Sequence, residues 1–209
     1  MRSSLYSSIR QSCLRRSEHD RQIIEVGRKA GPERQVHTSL DGIEKWHKWR
    51  YEQTLWHIKG KMVLDAGCGC GYGTHMMSAE ASHVDGIDDS AEAIEFARKE
   101  YQAVNINYYC DSFLNMAMCG YDVIVAFEFI EHVEDTNAIF EKFREIGPEK
   151  IILSVPHITT PIGGNKFHYR HYGMDEIVKR FYDIGYKPQR AELVWFNTSL
   201  DVFYIAEKR

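Results

Sequence analysis

Met62-Val63-Leu64-Asp65-Ala66-Gly67-Cys68-Gly69-Cys70-Gly71-Tyr72-Gly73 begins as a short apolar run, meets an acid, and then places glycine at every second position, four times. An apolar run of this length reads as a buried strand. Glycines at 67, 69, 71 and 73 allow a sharp turn at positive φ and remove the Cβ atoms that would hold a ligand off the backbone. The residues from Thr74 to Glu80 suit a helix, which puts the glycines at a strand-to-helix turn. In an open α/β sheet, such a turn is where a cofactor binds.

The chain downstream repeats the alternation. His83 to Asp88 reads as a second strand ending in acid, and Ser90 starts a helix with Ala93, Ile94, Ala97 and Tyr101 on one face. Ile106 to Cys110 is a third strand ending at Asp111, and Tyr121 to Phe127 a fourth; the ten residues between them leave room only for a truncated crossover. Asp135 caps a helix that buries Ile139, Phe140, Phe143 and Ile146, and Gly147-Pro148 stops it. Lys150 to Val155 has the continuous apolar run of a central parallel strand. After a loop from Pro156 to Gly173, Met174 to Tyr182 is helical, and Ala191–Phe196 and Val202–Ala206 form a hairpin across Asn197–Leu200. Strands alternating with helices, closed by a hairpin, predict a mostly parallel sheet with one antiparallel strand.

Upstream, Asp41 to Ile58 reads as one helix capped by Asp41 and ended by Gly60, with Trp46, Trp49 and Trp56 packing against the sheet. Residues 1–40 read as a basic arm with one or two short helices around Ile9, Leu14, Ile23, Ile24 and Val26, closed by Gly31-Pro32, and 41–209 as the folded domain. Within the 209 residues, positions 1–34 carry eight Arg/Lys against four Asp/Glu, leaving 18 basic and 26 acidic residues after them. So acidic a body disfavours long nucleic acid as a partner. Five scattered cysteines without metal spacing, and no apolar run near the ~20 residues of a membrane helix, point to reduced thiols in a cytoplasmic protein. The acid-free, Ser- and Arg-rich residues 1–17 set an organellar transit peptide against a peripheral arm.

The glycine spacing excludes a nicotinamide-dinucleotide fingerprint, because the third glycine of G-x-G-x-x-G would fall on Tyr72 or Thr74. A P-loop would need Gly-Lys-Ser/Thr, which is absent. Instead, Val63-Leu64-Asp65-Ala66-Gly67-Cys68-Gly69-Cys70-Gly71 resembles the first motif of the class I S-adenosylmethionine-dependent methyltransferases. Gly86-Ile87-Asp88-Asp89-Ser90 resembles their second motif, and Tyr121-Asp122-Val123-Ile124-Val125 their fourth-strand motif, within a similarity of about 150 residues from Lys59 to the C-terminus. The resemblance implies a Rossmann-like seven-stranded sheet of order 3-2-1-4-5-7-6 with strand 7 antiparallel, and S-adenosylmethionine as cofactor. Asp65, Gly67, Cys68, Gly69 and Gly71 would hold the methionine part, and Asp88, with Asp89 and Asp85 as the alternatives, the ribose hydroxyls. Asp111, Ser112 and Phe113 would meet the adenine, and Phe127 would border the site.

Methyl transfer needs a nucleophile placed against the methyl group, and a hydroxyl gains from a base or a metal. Phe127-Glu128-Phe129-Ile130-Glu131-His132 ends the fourth strand, and a helical turn there would put Glu128, Glu131 and His132 on one side. Two readings stand: His132 as general base oriented by the glutamates, or Glu128, Glu131, His132 and His168 holding a divalent Mg or Mn ion. The E-x-x-E-H pattern resembles ubiquinone-biosynthesis O-methyltransferases, small-RNA 3′-terminal 2′-O-methyltransferases and surface-polysaccharide-associated methyltransferases. His168, Arg170 and His171, in Asn165–Tyr172, are the candidate acceptor-binding residues, with His157 at the start of the same loop. The reading is a methyltransferase that O-methylates a hydroxyl of a saccharide or other small polar acceptor. Its rivals are an RNA 3′-terminal 2′-O-methyltransferase and a cofactor-binding subunit without catalysis.

Overall fold

In the computed structural model, which describes residues 23, 25–27, 34–117, 120–162, 167–196 and 199–209, the apolar run of the glycine stretch is strand β1 (Met62–Ala66). It lies between two parallel neighbours, β2 (His83–Asp88) and β4 (Val123–Phe127). The sheet continues through β3 (Ile106–Cys110) on one side and β5 (Lys150–Pro156) on the other. Strand β7 (Ser199–Lys208) pairs antiparallel with β5, and β6 (Tyr186–Phe196) antiparallel with β7, giving the order β3-β2-β1-β4-β5-β7-β6. This is the expected topology of the Rossmann-like methyltransferase fold.

Helices α2 (Tyr72–Ser78), α3 (Ala91–Glu100), α4 (Thr136–Ile146) and α5 (Met174–Asp183) follow β1, β2, β4 and β5. Their caps are local. Ser90 and Asp135 accept from the third backbone N–H of α3 and α4, and Gly147 ends α4 in the left-handed conformation. Side chains of β1 and β4 alternate between two apolar layers. Leu64, Ala66, Ile124 and Ala126 pack beneath α4 and α5, while Val63, Val123, Val125 and Phe127 face the opposite side, with Tyr51, Ile58 and Met77. The described residues between β3 and β4 form only a 3₁₀ turn at Phe113–Asn115, as a truncated crossover would.

Three expectations fail. The helix over 41–58 is split. Ser39, not Asp41, caps a single 3₁₀ turn at Leu40–Gly42, and Ile43 and Glu44 are extended before α1 (Lys45–Glu52). Burying Ile43 breaks the helix there, and of the three tryptophans Trp49 meets Phe196 and Phe203 edge-on while Trp56 stands 85% exposed. The closing strands are longer than expected, because β6 is an edge strand whose Lys187, Gln189 and Arg190 hide it from an apolar pattern and whose Pro188 sits at a bulge. Strand β4 starts two residues late: Asp122 instead accepts from the Met62 backbone at 2.8 Å, and Tyr121 donates to buried Asp85 at 2.7 Å. The readings of residues 1–22, of Ile24, of Gly31-Pro32 and of the Asn197-Thr198 turn lie outside the described residues. Among the described residues no helix is long and apolar enough to cross a membrane.

Candidate active site

The C-terminal ends of β1 to β4 and the loops after them enclose a cavity of about 980 Å³. That is the upper end of the ~300–1,000 Å³ of small-molecule sites, with room for two reactants. Of the candidate residues, Gly67, Cys68, Gly69, Asp88, Asp89, Asp111, Ser112, Phe113, Phe127, Glu128, His132 and His168 line it.

The glycine turn is held from within. The Gly67 and Cys68 amides both donate to the Ile87 carbonyl at 2.9 and 3.0 Å, and the Gly69 amide to Asp88 Oδ2 at 2.9 Å. The expectation that all four glycines clear space for a ligand is corrected. A Cβ on Gly67 would lie 2.6 Å from Phe129, one on Gly71 2.6 Å from Ala97, and one on Gly73 1.9 Å from the Tyr51 ring. Those three glycines admit packed side chains; Gly69, at φ +52°, alone of the four has no close obstruction, its nearest neighbour being the Arg34 side chain at 3.9 Å. Asp65 does not line the cavity either. Fully buried, it accepts from Thr74 Oγ1 at 2.6 Å and Tyr51 Oη at 3.4 Å, and burial pushes its carboxyl up to about 7. It fastens α1 and α2 to β1 instead of touching a ligand. Burial also lifts the Cys68 thiol well above its usual range and Cys70 to about 12, so neither is a thiolate at neutral pH.

Asp88 ends β2 with Oδ1 accepting from the Ser90 amide at 3.0 Å and from Arg34 Nη2 at 2.8 Å. Asp111 Oδ1 accepts from the Ser112 amide and the Asn115 side chain at 2.7 and 2.8 Å, which fixes the turn that carries Phe113. Opposite these groups, the buried Arg50 guanidinium of α1 lies 3.4 Å from Glu128 and pairs with Asp201 of β7, beside Tyr51, Tyr72 and His47. Burial, and then Arg50, depress His47 to about 4; burial, and then Glu128, raise Asp201 to about 6.

At the end of β4 the expected helical turn forms only over Ile130–His132. Glu128 precedes it at φ 48°, the one non-glycine residue at positive φ among the described residues. Such a conformation costs about 1–3 kcal/mol and is tolerated where the surroundings over-determine it. Here Ser154 donates to Glu128 Oε1 at 2.7 Å and Arg50 pairs with the same oxygen. Glu128 therefore does not share a face with Glu131 and His132, and it is not part of their cluster. Glu131 is fully buried and neither of its carboxylate oxygens has a hydrogen-bond partner; burial and then the Glu128 charge hold it well above the usual carboxylate range.

Ligand atoms of Glu131, His132 and His168 lie within 4.8 Å of one another. Backbone carbonyls fix the ring protons. Phe167 O can only accept, so His132 carries a proton on Nδ1 (3.1 Å), the tautomer in which Nε2 is the nitrogen able to take a second proton. His171 Nδ1 donates to Thr160 O at 2.8 Å, and His168 Nδ1 then donates to His171 Nε2 at 2.7 Å. Burial, and then His132 and His171, depress His168 to about 4, so its Nε2 also keeps a lone pair. Two of the acceptor-binding assignments are corrected. His171 is buried and positions His168, while Arg170 forms a two-pronged ion pair with Glu176 at 2.8 and 2.9 Å away from the cavity. His157 bonds Thr159 at 2.8 Å and stays outside the cluster; Asn165 lies outside the described residues. Arg34, Arg50 and Asp201 were not expected. The charged Asp201 beside an apolar strand is the one local signal that could have flagged a buried pair.

Residues 63–146 match the family described as a methyltransferase domain. The chain is 30% identical over 161 residues, 74% of its length, to a "probable S-adenosylmethionine-dependent methyltransferase" of Mycolicibacterium smegmatis, and spans 63% of that relative. It is 38% identical over 88 residues to a ubiquinone biosynthesis O-methyltransferase of Coxiella burnetii, spanning 40% of this chain and 38% of that one. The chain thus covers less than two thirds of the curated relatives it matches. Among solved structures, the magnesium protoporphyrin IX methyltransferase of Synechocystis PCC 6803 with bound S-adenosylhomocysteine superposes with a TM-score of 0.67 at 20% identity, covering 78% of this chain and 83% of that one. The N-methyltransferase NodS of Bradyrhizobium japonicum, also with S-adenosylhomocysteine, gives 0.71 at 13% identity over 90% of this chain and 98% of that one.

Proposed function

We propose that this chain, whose residues 63–146 match a methyltransferase-domain family, is an S-adenosylmethionine-dependent methyltransferase that transfers a methyl group to a hydroxyl oxygen of a saccharide or other small polar acceptor. Bound S-adenosylmethionine supplies an electrophilic methyl on a sulfonium. The cavity suits it on its own chemistry: Asp88 offers acceptor oxygens beside the backbone of Gly69, as a ribose diol needs, and Asp111 and Phe113 offer a carboxylate and a ring to an adenine. Arg50 is the buried cation that a methionine carboxylate would meet in the same cavity.

The observation that carries the acceptor chemistry is the His132 hydrogen bond to the Phe167 carbonyl. By holding the proton on Nδ1 it keeps Nε2 a base, and His132 borders the cavity at the end of β4. His132 takes the acceptor hydroxyl's proton as the oxygen attacks. The aromatic Phe127, Phe129 and Phe167 line the same cavity. A Coxiella relative named as an O-methyltransferase agrees with an oxygen nucleophile. The test is release of S-adenosylhomocysteine over a panel of sugars, phenols and short RNAs. A saccharide or small polyol should be the active class, and His132→Gln should lower turnover by about 10²–10⁴ with cofactor affinity kept. Activity on RNA 3′ ends alone would support the rival acceptor, and silence across the panel a non-catalytic subunit.

A second reading concerns a divalent ion. Glu131, a buried carboxylate without a hydrogen-bond partner on either oxygen, faces two imidazoles, one oriented by the Phe167 carbonyl and the other by the His171 ring, the kind of outer support that metal-ligating histidines have. Glu131, His132 and His168 would hold the ion, which would polarise an acceptor oxygen. Titration with Mn²⁺ tests it: binding lost in Glu131→Gln supports the ion, and no binding by the intact chain removes it.

A further inference from the structure

Asp88 has about four acceptor positions on its two carboxylate oxygens. The Gly69 and Ser90 amides take two of them at 2.9 and 3.0 Å, and both belong to the turn itself. Arg34 takes a third at 2.8 Å, reaching Asp88 from 54 residues upstream, and also lies 3.6 Å from Asp89. One position remains, whereas the two hydroxyls of a ribose need two. Arg34 and a two-pronged ribose grip therefore compete for the same oxygen.

Arg34 is held there by a docked segment. Val36 and Leu40 pack with Ile23 and Val26 against the cluster of Cys68, Cys70, Ala93 and Ile94. The Tyr101 hydroxyl donates to the His37 carbonyl at 2.6 Å, and Gln35 joins Arg34 in the cavity wall. Residues 34–40 thus run from the mouth of the cavity to α3, and their one arginine ends on the carboxylate assigned to the cofactor.

We propose that Arg34 is a guard on the cofactor site: an internal cation that occupies Asp88 until the ribose of the donor displaces it, so that cofactor binding loosens the segment over residues 34–37. This rests on the assignment of Asp88 to the ribose. It makes the N-terminal segment a reporter of cofactor occupancy and sets the donor affinity below what the carboxylate alone would give.

The test is calorimetric titration of the full chain and of Arg34→Gln with S-adenosylhomocysteine, with adenosine as a second probe that carries the diol but no methionine. The Arg34 side chain is 31% exposed, so the exchange of one charge-assisted bond should raise both affinities about fivefold in Arg34→Gln, with Arg34→Lys in between. In the intact chain, hydrogen exchange at the amides of residues 35–37 should quicken when S-adenosylhomocysteine binds. Equal or weaker binding by Arg34→Gln, or slower exchange on binding, would overturn the guard and leave the cofactor assignment standing. If the intact chain binds neither probe, the assignment falls and the guard with it.

Discussion

The hydroxyl of Thr74 donates to the carboxylate of Asp65 at 2.6 Å, beneath the glycine turn and out of reach of the cavity. Asp65 therefore acts on the site through the frame: it holds α2, and through Tyr51 also α1, against the end of β1.

The buried carboxyl of Asp65 carries a pH signature. Its value rises from 3.8 to about 7 on folding, chiefly by burial, so the folded chain binds this proton more tightly than the unfolded chain. Below pH ~4 both states hold the proton and the group costs nothing; between pH ~4 and ~7 the cost grows, and above that it is constant. Over about three units it amounts to roughly 4 kcal/mol. The urea-unfolding free energy of the wild type minus that of Asp65→Asn should fall by about that amount between pH 4 and pH 8. A constant difference would remove the buried acid from the account.

Arg50 and Asp201 should behave as one unit. Arg50→Met leaves the buried Asp201 and the half-buried Glu128 without their cation and should cost about 3–5 kcal/mol in urea unfolding. Adding Asp201→Leu should recover a large part of that loss, because replacing both charges by packed apolar groups is close to neutral. Additive losses would mean that the pair is not coupled.

Gly73 is fixed by the ring that rests on it. Gly73→Ala places a Cβ 1.9 Å from the Tyr51 ring and should destabilise by about 1–3 kcal/mol. In a Tyr51→Ala background the same substitution should cost little, since the obstructing ring is gone. Equal costs in both backgrounds would show that another contact decides.

What could be read from the sequence was local. Strand β1, the glycine turn, the Ser90 and Asp135 caps and the Gly147 stop depend on residues within a few positions of each other, and the strand order followed from a family resemblance to those motifs. The pairs that shape the site were not local. Arg34 meets Asp88 across 54 positions and Arg50 meets Asp201 across 151, and only the closed sheet brings them together. The positive φ of Glu128 was equally hidden, because glutamate has no preference for that region and the Ser154 contact that supports it lies on another strand. Helical spacing promised three side chains on one face at the end of β4; the strain at Glu128 turned one of them away.

Asp88 is proposed to close a cofactor site over the glycine turn. Calorimetric titration with S-adenosylhomocysteine tests it most directly, in the wild type and in Asp88→Ala, each checked for folding by circular dichroism. Two hydrogen bonds to a charged oxygen are worth about 1.5–3 kcal/mol each, so the substitution should weaken binding by at least about a hundredfold. Undiminished affinity in a folded Asp88→Ala protein would contradict the account.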